Sequence, residues 1–180
     1  MGLFAQTAII PGCDEKTAHS VLEGLAPKKD WNLNVSECRF APNDKGVQIF
    51  FNDWCSGYED MAECLSKELG RAVLLPYIYD GDFWGYFFCE DGALVDQFMP
   101  IPEYFSDDPE EAVKDASGNA ALIAERFHVP EADVAPYLTS WALDDLDGAE
   151  QAHEGDEFPY GDCWQMVDFM ARLGWPWPWD

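Results

Sequence analysis

Between residues 72 and 99 three apolar runs are punctuated by two Asp-Gly pairs, Asp80-Gly81 and Asp91-Gly92. A two-residue hairpin turn of the favoured hand needs positive φ at both central positions, and Asp-Gly meets that need cheaply. The runs 72–79, 83–90 and 93–99 therefore read as three consecutive antiparallel strands. The middle run sets Phe83, Phe87 and Cys89 on one face and Trp84, Tyr86 and Phe88 on the other. A strand facing water would alternate to polar residues, so both faces of this one must be covered. Helices can cover one face, and the C-terminal third of the chain is the natural cover for the other. Pro76 has no N–H to give a ladder, which predicts an edge position or a bulge for the first of the three strands.

The preceding residues supply the rest of a sheet. Residues 3–10 read as a strand ended by Pro11 and Gly12. Asp14 can cap a helix over 15–26, with Ala18, Val21, Leu22 and Leu25 on one face. Runs 35–40 and 47–51 should pair as a hairpin across 43–46. Ser56 and Glu59 have capping-box spacing before a helix that ends at Gly70. The expected order is β-α-β-β-α-β-β-β, an α+β fold with an antiparallel or mixed sheet. Its first six elements share the order of a ferredoxin-like split βαβ repeat.

We expect residues 1–100 to form this α+β core domain and 101–180 a helical, acidic extension packed on it. The extension reads as a cap and first turn at 108–111, helices over 119–127 and 163–173, and a short helix beginning at Pro130. An acidic loop spans 144–162. The Trp-Pro-Trp-Pro-Trp tail is too proline-broken for a helix, and either folds back over the core or forms an exposed patch.

Charge narrows the partners. The chain carries 10 Lys plus Arg against 35 Asp plus Glu, a formal net charge of -25. The excess is uneven, since residues 81–180 hold three basic and twenty-three acidic groups. Such a field repels nucleic-acid phosphates and anionic lipid heads and favours a basic protein, a cationic ligand or a metal ion. No nucleic acid and no membrane are expected as partners. The six cysteines form no C-x-x-C pair, which argues against structural zinc and thioredoxin-like chemistry. Cys38 and Cys89 fall in strand-like runs and read as small buried hydrophobes. No leader pattern and no window of membrane-spanning length occurs, so the expected location is the cytoplasm.

Specific chemistry is harder to find. An EF-hand alignment of 143–154 puts Leu143 where an oxygen ligand is required and Glu150 where an apolar anchor belongs. His153, Glu154 and Asp156, with Asp162 or Cys163, have no recognised zinc spacing. Cys55 precedes a helix, where its thiol pKa would be lowered, and Asp53 or Ser56 is expected to cap that helix. A G-x-S-x-G elbow and a glycine-rich phosphate loop are absent. Asp82 leaves a tight turn. Asp96 stands in a strand among Leu94, Val95 and Phe98, where an acid must find a partner such as Arg39 or Arg71. Aromatic residues ringed by acids suit a basic protein partner. On this basis the candidate binding residues are Asp82, Trp84, Tyr86, Asp96, Tyr104 and Trp141, with Tyr79, Phe88 and Phe105 as further lining. Core packing is the competing role for these rings. No catalytic residue, metal ligand or cofactor is assigned.

Residues 77–105 contain an acid-rich turn at Asp80 and Asp82, Trp84 and Tyr86, a turn at Gly92, Asp96 and Phe98, then Pro102, Tyr104 and Phe105. This segment resembles a pattern found in small uncharacterised acidic bacterial proteins, and the resemblance implies no activity or ligand. In size and charge the chain is similar to the immunity proteins that neutralise bacterial toxins. The expected function is thus a non-enzymatic protein-interaction or regulatory role, immunity-like, with a basic partner. The alternative is a small metal-dependent hydrolase using Asp53, Cys55, Asp82, Asp96 or His153, or a ligand-binding sensor.

Overall fold

The computed structural model describes residues 2–105, 115–141 and 150–179. Strand β1 (Ala5–Pro11) leads to helix α1 (Glu15–Leu25), whose N-terminus is capped by Asp14. The Asp14 carboxylate accepts the Thr17 N–H at 2.9 Å and the Thr17 hydroxyl at 2.7 Å. The hairpin that follows is shifted from the expected 35–40. Asn34 Oδ1 accepts from the Ser36 N–H and hydroxyl, which folds Val35–Glu37 into a 3-10 turn. The strand β2 therefore begins only at Arg39 and runs to Asn43. Cys38 is accordingly half-buried at the end of that turn and not inside a strand.

Strand β3 (Gly46–Phe50) pairs antiparallel with β2 and with β1, placing Arg39 and Thr7 both opposite Phe50. Helix α2 (Tyr58–Leu69) is not capped by Asp53 or Ser56. Its N-cap is Gly57, left-handed at φ 73, without a side-chain cap. A Cβ on Gly57 would lie 2.8 Å from the Trp31 indole, so the close approach of that ring selects glycine. Gly70, at φ 57, ends α2 as expected.

The strands β4 (Val73–Tyr79), β5 (Phe83–Glu90) and β6 (Ala93–Phe98) complete a six-stranded antiparallel open sheet in the order β2-β3-β1-β4-β5-β6. Both Asp-Gly turns have positive φ at both residues, 53 and 78 at Asp80-Gly81, 51 and 79 at Asp91-Gly92. The edge position expected from Pro76 is not found, because β4 lies between β1 and β5. The C-terminal part holds α3 (Ala120–Phe127), the short α4 (Glu131–Val134) and α5 (Gln165–Arg172). The five α-helices named among the described residues and the sheet make an α+β protein. None of the described helices is long and apolar enough to cross a membrane.

The chain divides into two compact units, Phe4–Tyr77 with Tyr86–Val95, and Met1–Leu3 with Ile78–Gly85 and Asp96–Asp180. In the first, Ile9, Leu22, Ile49, Leu65 and Phe88 are fully buried, and Tyr58, Tyr77 and Phe87 form a row of rings 5.5 and 5.3 Å apart. In the second, Met166, Phe169, Met170 and Leu173 of the α5 stripe are fully buried, with Trp84 against Phe169 at 4.9 Å. The tail folds back. Trp175 is 1% exposed, and Trp177 and Trp179 continue edge to face from Trp164 at 5.7 and 6.2 Å. The expected cap at 108–111 and the calcium-type positions 143–148 lie outside the described residues.

Candidate functional site

The Asp80-Gly81 turn brings Tyr79, Asp82 and Phe83 to one corner of the second unit. After Ile101, a 3-10 turn over Pro102–Tyr104 carries two more rings to the same corner, closed by the Tyr104 N–H on the Ile101 carbonyl at 3.0 Å. Phe83 is the buried floor. Tyr104 meets it at 5.1 Å, Phe105 meets Tyr79 at 4.9 Å, and Tyr104 and Phe105 meet each other at 5.0 Å, all edge to face. Such pairs favour a fixed relative orientation. The outer faces remain open to water, with Tyr104 42% and Phe105 57% exposed.

One hydrogen bond fixes this pair to the turn: the Tyr104 hydroxyl donates to Asp82 Oδ2 at 2.7 Å. The Asp82 carboxylate favours the protonated phenol and, with partial burial, pushes Tyr104 up to about 12. At Gly81 of the same turn, a groove of about 390 Å³ is lined also by Pro159, Tyr160, Gly161, Asp162 and Cys163. Burial, helped by the charges of Asp162 and Asp82, pushes the Cys163 thiol up to about 11. Phenol and thiol both stay protonated near neutral pH, so neither is an activated nucleophile. What the corner offers is two exposed rings among the carboxylates of Asp80, Asp82 and Asp162. Aromatic rings in such a setting can stack on a guanidinium or ammonium group.

Of the six candidate binding residues, Asp82 and Tyr104 are joined here. Trp84 and Tyr86 are fully buried in β5, and Trp141 is 4% exposed. Trp84 Nε1 donates to Gln165 Oε1 at 3.1 Å, and its ring packs on Phe98 at 5.2 Å. The Trp141 N–H donates to the Pro100 carbonyl at 2.8 Å, while its indole Nε1 has no partner among the described residues. These three rings are interior packing. Asp96 has a local role, accepting the Asn119 N–H at 3.0 Å, and Asn119 in turn caps α3 through the Leu122 N–H. Phe105 contributes most exposed apolar surface at the corner. Its only sequence signal was an aromatic beside Tyr104 in a proline-broken stretch.

The residues of the alternative reading have other surroundings. Cys55 is buried, and burial together with the charge of Cys38 pushes its thiol up to about 12. That reverses the expected lowering, because desolvation penalises the thiolate more than the start of α2 favours it. His153 Nε2 faces the Asp133 carbonyl at 3.1 Å, and its ring lies on Tyr137 at 5.4 Å. Asp156 is occupied by Arg172 at 2.8 Å, the Tyr137 hydroxyl at 2.7 Å and the His153 N–H at 3.0 Å. Among the described residues, no three or more His, Cys, Asp or Glu side chains are grouped to hold a metal ion. No family model matches the chain, and no curated protein or solved structure matches it.

Proposed function

We propose that this is a non-enzymatic protein-interaction or regulatory protein that binds a basic partner through Tyr104 and Phe105. The observation that carries the proposal is the fixed exposure of these two rings, held by the Tyr104–Asp82 hydrogen bond. Exposed rings that are already ordered lose little conformational entropy on binding. Asp80, Asp82 and Asp162 supply the charge that steers a cationic surface toward them. The same field disfavours nucleic acid. An immunity-like role and a cytoplasmic setting belong to this reading, supported by the -25 net charge and by six free cysteines. We also read β1 to β4 as a ferredoxin-like core extended by β5 and β6, a reading supported by the sheet order β2-β3-β1-β4.

Selection of a random peptide display library on the immobilised chain tests the binding surface. Enriched peptides should be rich in Arg and Lys, and Phe105→Ala should weaken their binding by about tenfold, the loss expected of an aromatic anchor. Enrichment without basic residues, or binding indifferent to Phe105→Ala, refutes the proposal.

A further inference from the structure

Trp54, in the first unit, is the most exposed large apolar side chain among the described residues, at 62%. Its backbone is left-handed, with φ 69. Bulky residues take that conformation only where their surroundings impose it. Here the ring lies out in solvent, so packing of the side chain does not offset the strain.

Trp54 is the third residue of a turn closed by the Cys55 N–H on the Asn52 carbonyl at 3.3 Å, and a network of asparagines surrounds that turn. Asn52, 8% exposed, accepts the Asn34 N–H at 2.8 Å and donates to the Asn32 carbonyl at 3.2 Å and the Asp53 carbonyl at 2.8 Å. Asn32 donates to the Trp54 carbonyl at 3.1 Å, and the Ser56 N–H donates to the Trp31 carbonyl at 2.8 Å. Two loops are thereby joined into one support whose outward product is a single indole. The two loops are acidic in sequence. Residues 30–37 and 52–60 contain Asp30, Glu37, Asp53, Glu59 and Asp60 and no Lys or Arg. Lys29, beside the first of these loops, pairs with Asp60 at 2.8 Å, which leaves Asp30, Glu37, Asp53 and Glu59 as the acids in excess.

We propose that Trp54 is a recognition anchor that stacks on an arginine side chain of a basic protein partner, with the acids of these two loops balancing the guanidinium charge. Tryptophan is the best ring for such stacking, and arginine its commonest partner. The proposal does not rest on Tyr104 and Phe105, which belong to the other unit.

The test is a titration of the ¹⁵N-labelled full chain with an arginine–glycine repeat peptide, followed at the indole N–H resonances. Trp54→Phe identifies the Trp54 signal by its disappearance. That signal should shift saturably, and a glutamate–glycine peptide should leave it in place. Trp54→Asn, followed at the backbone amides of residues 52–56, should weaken binding by about tenfold while melting no lower than the parent, since asparagine is at ease in the left-handed region. In Phe105→Ala the Trp54 signal should still shift at the same peptide concentrations, which separates this outcome from peptide binding at Tyr104 and Phe105. An unmoved Trp54 resonance, parent-like binding by Trp54→Asn, or a clear drop in its melting temperature overturns the proposal; the last would make the ring a packing element.

Discussion

Tyr104 donates its hydroxyl hydrogen bond to the Asp82 carboxylate. Because the Asp82 carboxylate opposes the phenolate, Asp82→Asn should bring the Tyr104 titration down from about 12 toward the ordinary tyrosine value of 10.0. Phenolate absorbance across alkaline pH measures this, and an unchanged curve would mean that Asp82 is not the cause. The folded state holds this proton more tightly than the unfolded chain. The linked stability is therefore present below the ordinary tyrosine range and lost as pH rises through about 12. Asp156 behaves oppositely. Burial alone would raise it, but hydrogen bonds from Arg172, Tyr137 and the His153 N–H outweigh burial and hold it below the usual carboxylate range. Its contribution is present above that range and lost as pH falls through the folded value. The Asp156 side chain is 4% exposed and that of Arg172 33%. Breaking a buried pair costs about 3–5 kcal/mol, and partial solvation of Arg172 lowers the expectation for Asp156→Asn to about 2–3 kcal/mol. Chemical denaturation at neutral pH measures it; a loss near zero would show that the pair contributes nothing net.

The two Asp-Gly turns share a backbone conformation but not a neighbourhood. A Cβ on Gly92 would fall 2.8 Å from the Lys67 Cβ, whereas one on Gly81 would meet the Leu3 Cβ at an ordinary 3.5 Å. Gly81→Ala should thus cost only the left-handed backbone penalty of about 1–2 kcal/mol, and Gly92→Ala more than that. Equal losses on thermal unfolding would contradict the difference in packing. These turns were legible in the sequence because their residue types meet a backbone demand. So were the Asp14 cap and the helix expected over 163–173. The start of β2 was not, because Asn34 folds the next three residues with a side-chain hydrogen bond that strand periodicity does not register. The α2 cap was missed since Gly57 is chosen by the Trp31 indole, a contact between residues far apart in sequence. The candidate site was legible in part. Asp82 and Tyr104 were identifiable as an acid leaving a turn and an aromatic in a later segment. Trp84 and Tyr86 have the same local pattern as surface rings, and only burial separates them. Trp54 carried no signal, because nothing in Asn52-Asp53-Trp54-Cys55 announces a left-handed tryptophan.

Across the whole molecule the charge sets two salt dependences of opposite sign. Two unit charges 10 Å apart in water repel by only about 0.4 kcal/mol, but a net charge of -25 multiplies such terms. At about 0.1 M salt the screening length is already about 10 Å, so much of this repulsion is removable. Salt also weakens the exposed pairs Lys29–Asp60 and Arg126–Glu125, which contribute little in water. The Asp156–Arg172 pair is more sheltered from ions. Repulsion among the excess acids therefore dominates. Melting temperature should rise as sodium chloride increases from about 0.01 to about 0.3 M and then level off as screening saturates. Binding of a basic peptide should weaken over the same range, since salt screens the attraction that steers it. Differential scanning calorimetry and titration of the peptide in the same buffers give both curves. A melting temperature that falls with salt would place the acids in net-stabilising pairs, and binding that strengthens with salt would leave apolar contact as its sole basis. The two curves moving in opposite directions is the signature of carboxylates that the fold leaves uncompensated and a cationic partner completes.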